Sequence, residues 1–101
     1  MSNTFEILAE PTRRRILDEL RQQERPANDL VESLGISQPR VSKHLRVLRK
    51  AGLVEVRKDA QRRLYRIRPE PLQEIDEWLE PYRKFWLSRL DALEAHLERE
   101  E

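Results

Sequence analysis

Residues 37–52 read Ser-Gln-Pro-Arg-Val-Ser-Lys-His-Leu-Arg-Val-Leu-Arg-Lys-Ala-Gly, and both ends of this stretch carry helix-boundary signals. Ser37 can cap the N-terminus of a helix with its hydroxyl, and Pro39 falls in the first turn, where its missing N–H costs nothing. Gly52 can adopt the left-handed conformation that ends a helix. The stretch therefore predicts a helix with two defined ends.

This helix has an apolar stripe and a basic face. Val41, Leu45 and Leu48 recur at i, i+4 and i+7, which places them on one side. Residues 37–50 contain five basic residues and no acidic one. On a helical wheel the side chains that point away from the stripe are Ser42, Lys43, Arg46 and Lys50, with Arg40 on one shoulder. Such a helix suits the DNA major groove, and a solvated basic face is the alternative for the segment alone.

Composition bounds the class of protein. A chain of 101 residues with 38% hydrophobic content predicts one domain, residues 1–101, with a small core. Two glycines and 39% charged residues favour a largely helical chain. We expect a cytoplasmic protein with no membrane partner, because no apolar run approaches a membrane span and the N-terminus lacks a signal-peptide pattern. The absence of cysteine excludes disulfides and thiolate metal sites.

The formal net charge of +1 conceals an asymmetry along the chain. Residues 1–68 hold 16 Lys and Arg against 9 Asp and Glu, which gives +7, whereas residues 69–101 hold 4 against 10, which gives −6. A basic body suggests a polyanionic partner. The acidic segment is then expected to face away from it.

Three shorter helices are predicted before the basic helix, at residues 3–9, at residues 11 to about 23, and at residues 26–34. Gly35 supplies a turn between the third helix and the basic one. A helix, a glycine-containing turn and a second, reading helix form the helix-turn-helix arrangement.

Three arginines, Arg13 to Arg15, fall in the first turn of the second predicted helix, where the helix dipole disfavours cations. Local conflicts of this kind tend to mark function. The alternative is three solvated arginines, some of them paired with Asp18 or Glu19.

A β-hairpin is predicted after Gly52. Its strands are indicated by Leu53, Val54 and Val56 and then by Leu64, Tyr65 and Ile67, and residues 57–63 form a basic tip between them. Beside a helix-turn-helix, such a hairpin is a wing whose arginines reach the phosphate backbone or the minor groove. The alternative is an ordinary polar hairpin.

The C-terminal region, residues 71–99, carries a long apolar stripe at three- and four-residue steps. It comprises Leu72, Ile75, Leu79, Tyr82, Trp86, Leu90, Leu93 and Leu97, widened by Trp78 and Phe85. Pro81 is expected to kink or split this region near Glu80. So small a body cannot easily cover the stripe, which predicts packing on a second copy of the chain, and folding back onto its own domain is the alternative.

Three segments carry a resemblance to a known family: LAEPTRRRIL (8–17), NDLVESLGISQPRVSKHLRVLRKAGLV (28–54) and RRLYRI (62–67). They resemble the ArsR-type winged-helix transcriptional regulators, over roughly residues 5–68. The resemblance implies a homodimer that binds a palindromic operator in double-stranded DNA and usually represses its own operon. The aromatic tail is similar to the metal-independent autorepressor branch.

The resemblance also assigns site residues. Gln38, Pro39, Ser42 and Lys43 occupy the positions where members meet base edges, while a packing or phosphate role is favoured for His44. With the cations of the helix and wing, the expected DNA-binding set is Ser37, Gln38, Pro39, Arg40, Ser42, Lys43, His44, Arg46, Lys58, Arg62 and Arg63. The expected dimer interface is Phe5, Leu8, Trp78, Tyr82, Phe85, Trp86, Leu90 and Leu93.

The chain departs from the metal-sensing members. On the helix before the recognition helix, those members carry cysteine at the positions that Pro26 and Asn28 occupy in this chain. The C-terminal helix offers one histidine, His96, with Asp91, Glu94 and Glu100 nearby, which is not the ligand set that zinc requires. The wing tip, often glycine-rich in the family, is Asp59-Ala60-Gln61. No metal and no cofactor are expected, and the small-molecule effector, if one exists, is unknown.

The sequence thus predicts a mainly α fold with a small β-hairpin, a winged helix-turn-helix with about five or six helices. Its DNA-reading core would span about 11–68 and its dimerisation region about 71–99. An enzyme is not expected, because cysteine is absent, the two histidines lie in distant segments and no glycine-rich phosphate loop is present. The alternatives are a non-specific architectural DNA binder, a winged helix used only for protein contacts, and a sensor whose ligand lies among Trp78, Tyr82 and Trp86.

Overall fold

A computed structural model describes residues 3–99, and its order of elements is that of a winged helix-turn-helix. Its elements are α1 (Thr4–Leu8), α2 (Pro11–Gln22), α3 (Ala27–Leu34), α4 (Gln38–Lys50), β1 (Val54–Asp59), β2 (Arg62–Ile67), a short 3₁₀ helix (Glu70–Leu72) and α5 (Gln73–Arg99). The predicted fold class is confirmed. No helix within the described part of the chain is long and apolar enough to cross a membrane.

The residues that bound α4 and its neighbours act as the sequence indicates. The Ser37 hydroxyl accepts a hydrogen bond from the backbone N–H of Arg40 at 3.4 Å, and Pro39 lies in the first turn. Gly35 ends α3 with φ +68°, and Gly52 follows α4 with φ +77°. Both glycines adopt the left-handed conformation, in which a side chain would be strained. The turn between α3 and α4 is therefore set locally.

The core lies between the inward stripes of α2, α3 and α4 and the start of β1. Its buried side chains are Ile7, Ile16, Leu17, Leu20, Leu30, Leu34, Val41, Leu45, Leu48, Leu53 and Val54. Full burial of one such side chain stabilises the fold by about 1.5–3 kcal/mol relative to exposure. The three apolar positions predicted for α4 all lie in this core, and their burial fixes the rotation of α4 about its own axis.

The wing is longer than the sequence indicates. The strands pair in antiparallel register from Val54 opposite Ile67 to Asp59 opposite Arg62, so only Ala60 and Gln61 form the turn. Most of the predicted seven-residue tip is therefore strand, because the charged side chains of the ladder point outward without disturbing backbone pairing. Tyr65 of β2 also exchanges two backbone hydrogen bonds with Arg25, at 2.8 and 3.0 Å, which attaches the wing to the segment between α2 and α3.

Helix α5 is continuous through Pro81, so the expected split near Glu80 is wrong. Proline removes one backbone donor and leaves carbonyl groups of the preceding turn without a partner. In the turn that contains this proline, Arg83 donates a hydrogen bond to the Asp76 carbonyl oxygen at 2.6 Å and ion-pairs with the carboxylates of Asp76 and Glu80. One side chain thus bridges the turn that contains the proline.

The turn of the wing yields a prediction about stability. Ala60 has φ +58°, the other turn residue is not left-handed, and glycine favours the first position of such two-residue turns. We expect Ala60→Gly to raise the free energy of unfolding by about 0.5–1 kcal/mol, because it relieves the left-handed strain. Gln61→Gly is the matched control and is expected to lower it. Urea denaturation measures both, and a less stable Ala60→Gly variant would contradict the account.

Candidate nucleic-acid interface

Apart from Pro39, the exposed side chains on the outward face of α4 and its cap are polar or cationic. The exposed residues of this helix and its cap include most of the predicted DNA-binding set and two further cations: Ser37, Gln38, Pro39, Arg40, Ser42, Lys43, Arg46, Arg49 and Lys50. Within residues 3–99 no carboxylate lies within ion-pair distance of the cations on this face. Their positive charge is therefore available to an external anion.

A groove of about 540 Å³ separates α4 from the wing. Its lining residues are Ser42, Leu45, Arg46, Arg49, Lys50, Arg63 and Tyr65. The groove thus brings together three predicted site residues from two elements, namely Ser42, Arg46 and Arg63. Arg49 and Lys50 also line this groove beside the wing, although neither belongs to the predicted DNA-binding set. Their positive charge was the signal that could have found them.

The wing cations divide into two groups. Arg57 donates to both carboxylate oxygens of Glu24, at 3.0 and 2.9 Å from its Nε, and Arg66 pairs with Glu55. The hydrogen bonds from Arg57 lower the pKa of Glu24 and in turn raise the pKa of Arg57. These two arginines are therefore committed to the fold of the wing.

Lys58, Arg62 and Arg63 form the second group. They are exposed, and no carboxylate in the described residues pairs with them. Arg62 and Arg63 also border a second groove of about 510 Å³, with Gln61 and Tyr65 from the wing and, from the start of α3, Pro26, Ala27, Asn28 and Asp29. The three predicted wing residues thus remain free to meet phosphates, whereas Arg57 does not.

His44 differs from the rest of the predicted set because it is only 9% exposed. Its Nδ1 accepts a hydrogen bond from Nε of Arg13 at 3.4 Å. Burial lowers the pKa of His44, and the nearby charge of Arg13 lowers it further. At neutral pH the imidazole is therefore neutral and turned inward, so it is not placed to read base edges.

The predicted dimer residues lie on α1 and α5, away from α4. Phe5 meets Trp78 edge-on with ring centroids 5.8 Å apart, and Trp78 contacts Tyr82 at 5.0 Å. The Arg89 guanidinium lies 5.0 Å from the centre of the Phe85 ring. Leu8 is half-buried against the core. The large exposed apolar side chains are Phe5, Trp78, Tyr82, Phe85, Trp86, Leu87, Leu90, Leu93 and Leu97. Most of the predicted stripe is therefore uncovered within the single chain, whereas Leu72, Ile75 and Leu79 are half-buried.

The part of the chain that the structure describes holds no group of three or more His, Cys, Asp or Glu side chains able to bind a metal ion. His96, Asp91 and Glu94 lie within this part, and Glu100 lies outside it. These four are the C-terminal residues considered above as possible zinc ligands.

A helix-turn-helix with a basic outward helix, flanked by a wing with free cations, defines a winged-helix DNA-binding regulator. The family described as "Bacterial regulatory protein, arsR family" matches residues 10–56. The transcriptional repressor SdpR of Bacillus subtilis (strain 168) is 34% identical over 79 residues, which cover 78% of this chain and 88% of SdpR. The chain therefore belongs to the arsR family of bacterial regulatory proteins, which are DNA-binding transcriptional regulators and not enzymes.

Solved structures agree. The crystal structure of a "Possible transcriptional regulator for arsenical resistance" has a TM-score of 0.71 and 39% identity, and covers 94% of this chain and 96% of its own. The homodimeric winged helix-turn-helix DNA-binding domain of Mb0332 from Mycobacterium bovis has a TM-score of 0.62 and 30% identity, covering 78% of this chain and 73% of that one. Several other curated relatives are longer, and the chain spans about half of their length.

The buried histidine predicts a pH dependence of stability. Because the pKa of His44 is lower in the folded protein, the unfolded chain binds more protons below about pH 6.5, the ordinary histidine value. The stabilisation present above that pH is then lost as the pH falls through the folded pKa. We expect the free energy of unfolding to drop on acidification from pH 7.5 to 5.5, and to drop less in His44→Gln. Urea denaturation at both pH values measures this, and equal drops in both proteins would refute it.

Proposed function

We propose that the protein is a homodimeric repressor that binds a palindromic operator in its own promoter and does not sense metal. The observation that carries this proposal is the separation of two surfaces on one small fold. The cations of α4 and of the wing face one way, and an uncovered aromatic stripe runs along α5. A dimer formed through the stripe would present two reading helices to one face of the DNA.

Base reading is assigned to the N-terminal half of α4. Gln38, Arg40, Ser42, Lys43 and Arg46 are exposed there, and in helix-turn-helix proteins the N-terminal residues of the recognition helix contact base edges. Arginine and lysine suit guanine, and glutamine suits adenine. Ser37 and Pro39 lie at the same end of the helix, and the family resemblance places Pro39 among the positions that meet base edges. The wing residues Lys58, Arg62 and Arg63 would supply affinity by binding phosphates.

Replacement of Ser42 and Lys43 by alanine tests the reading helix. Neither side chain is in the core, so the fold is expected to remain intact, while discrimination between operator and random DNA falls by about 1–3 kcal/mol for each base that is no longer read. Removal of Arg49 and Lys50, in the last turn of the same helix, is the control and should weaken binding to operator and to random DNA equally. Fluorescence anisotropy on both DNAs measures the ratio. An unchanged ratio in the Ser42/Lys43 variant would place the readers elsewhere.

The wing predicts a change in salt dependence. The logarithm of the binding constant falls with the logarithm of salt concentration by about 0.9 per phosphate neutralised. Removal of Arg62 and Arg63 should flatten this slope by up to about 2 and weaken operator and random DNA together. The matched control removes Arg57 and Arg66, which also deletes two wing charges but only ones already paired with carboxylates. Equal slopes in the two variants would place the wing away from the DNA.

The stripe on α5 supports a dimer in which the second copy covers it. Helix α5 has 27 residues, about 40 Å of helix, and none of them is buried in the single chain. Contiguous apolar surface of this extent marks an interaction site in a soluble protein. Phe5 of α1 extends the same surface through its contact with Trp78. Residues 71–99 are accordingly proposed as the dimerisation region and about 11–68 as the DNA-reading core.

Trp86 and Leu87 form a matched pair for this claim. Both are exposed in the single chain, at 50% and 60%, but Trp86 lies on the stripe while Leu87 lies about 100° further around α5, on the flank away from Phe85. We expect Trp86→Ala to weaken dimerisation by about 3–5 kcal/mol if the partner buries the indole fully, and Leu87→Ala to leave it unchanged. Sedimentation equilibrium measures both. A Trp86→Ala dimer as tight as wild type would put the interface elsewhere.

Metal independence is proposed from the donor atoms available. The chain contains no cysteine, and Pro26 and Asn28 occupy the positions where metal-sensing members carry thiolates. Soft metal ions select thiolate ligands, which this chain cannot supply. The aromatic tail similar to the autorepressor branch agrees with regulation by binding alone, since its one histidine, His96, with Asp91 and Glu94 nearby, is not the ligand set that zinc requires.

A further inference from the structure

Arg13 is a cation in the first turn of α2, where the helix dipole opposes it. The salt bridge of Glu19 is to Arg25, at 3.2 Å, rather than to one of the arginines at positions 13–15. The guanidinium of Arg13 instead donates from Nη1 to the carbonyl oxygen of Ile7 and from Nε to Nδ1 of His44, both at 3.4 Å. One half-buried side chain therefore contacts two elements besides its own.

The first contact is at the end of α1. Ile7 lies in the last turn of this five-residue helix, where carbonyl groups lack partners within the helix. The guanidinium supplies one of the missing donors. Phe5 of the same helix rests on Trp78 of α5, so the helix that Arg13 holds belongs to the proposed dimer surface.

The second contact is on α4. His44 is adjacent to Lys43 in sequence and lies on the flank of α4 opposite the groove that Ser42 and Arg49 form with the wing. The wing bounds one flank of the recognition helix, and Arg13 holds the other. A shift of this flank would move the proposed base-reading side chains with it.

We propose that Arg13 is a positioning residue for DNA recognition: it links the carbonyl end of α1 to His44, so that the dimer-facing helix fixes the placement of α4. This role rests on the proposed function as an operator-binding dimer. Arg13 itself does not touch DNA in this scheme. It acts through His44, and its removal is felt as weaker discrimination rather than as the removal of a charge.

Arg14 provides an internal control. It lies in the same turn of α2 and holds the same end of α1, donating from Nη1 to the carbonyl oxygens of Leu8 at 2.6 Å and Ala9 at 3.4 Å. Among the described residues, its hydrogen bonds go to α1 and its C-cap and not to α4. Arg13→Gln and Arg14→Gln therefore remove the same charge and each loosen α1, but only Arg13→Gln cuts the link to the recognition helix.

The test is a pair of double-mutant cycles on the full chain, with an operator obtained by selection from random DNA. Arg13→Gln and His44→Gln are each expected to reduce the ratio of operator to random affinity about three- to tenfold, the range that one hydrogen bond of this kind supports. Because both act through one contact, the double variant should lose no more than the worse single variant. Arg14→Gln and His44→Gln should instead have independent effects that multiply.

Acidification tests the link without substitution. The charged groups that face His44 are Arg13 and Glu10 from the start of α2, and Arg40 and Lys43 from α4 itself. Protonation removes the Nδ1 acceptor, so the wild-type ratio should fall as the pH is lowered through the pKa of His44, which burial places below its ordinary value, while the ratio of Arg13→Gln should stay constant. The added charge on His44 would strengthen binding to operator and to random DNA equally, so it would not change the ratio of the two affinities.

The outcomes separate the two claims. The positioning role is overturned if the effects of Arg13→Gln and His44→Gln multiply, or if Arg13 and Arg14 couple equally to His44. In both cases the operator preference of the wild-type protein survives. A wild-type protein that prefers no sequence would overturn the proposed function and the positioning role with it. Sedimentation equilibrium should find all single variants dimeric, and a monomeric Arg13→Gln would assign the residue to assembly instead.

Discussion

Burial of Val41, Leu45 and Leu48 is the constraint on which the rest of the molecule depends. These side chains, each no more than 2% exposed, are spaced so that only one rotation of α4 removes all of them from water. That rotation turns the opposite face outward, and this face holds Arg40, Lys43 and Arg46 without a carboxylate among them. Burial of the apolar stripe therefore determines that the cationic side chains of α4 face outward.

The same logic extends to the wing and to α5. Arg57 pairs with Glu24 of the segment between α2 and α3, and Arg66 pairs across the hairpin with Glu55, while Lys58, Arg62 and Arg63 form no ion pair among the described residues. Helix α5 has no fully buried residue within the single chain, and it lies in the acidic segment 69–101, which holds 10 Asp and Glu against 4 Lys and Arg. A polyanion would be attracted to the basic surface and repelled from the acidic segment, which supports the proposal that a second copy of the protein covers the aromatic stripe.

The sequence predicted what is local and missed what depends on distant partners. The caps at Ser37, Gly35 and Gly52 and the periodicity of α4 follow from neighbouring residues, and the structure agrees with them. The sequence left open whether Pro81 kinks or splits α5; the helix is continuous, and the contact of Arg83 with Asp76, seven residues back, was not predicted. The contacts of Arg13 with His44 and of Arg57 with Glu24 join residues 31 and 33 positions apart. The sequence did not show which of the 20 basic residues would pair with carboxylates of the fold and which would be available to DNA. The base-reading and dimer residues remain predictions, and they are proposed to lie on two separate surfaces.

The most direct measurement of the central claim is selection of bound sites from random DNA, followed by footprinting of the selected site. Two copies of α4 related by a twofold axis should enrich an inverted repeat, with half-site centres about 34–36 Å apart or a multiple of that distance, and protect both halves on one face of the duplex. Enrichment of a single unrepeated half-site, or of no sequence at all, would contradict the account.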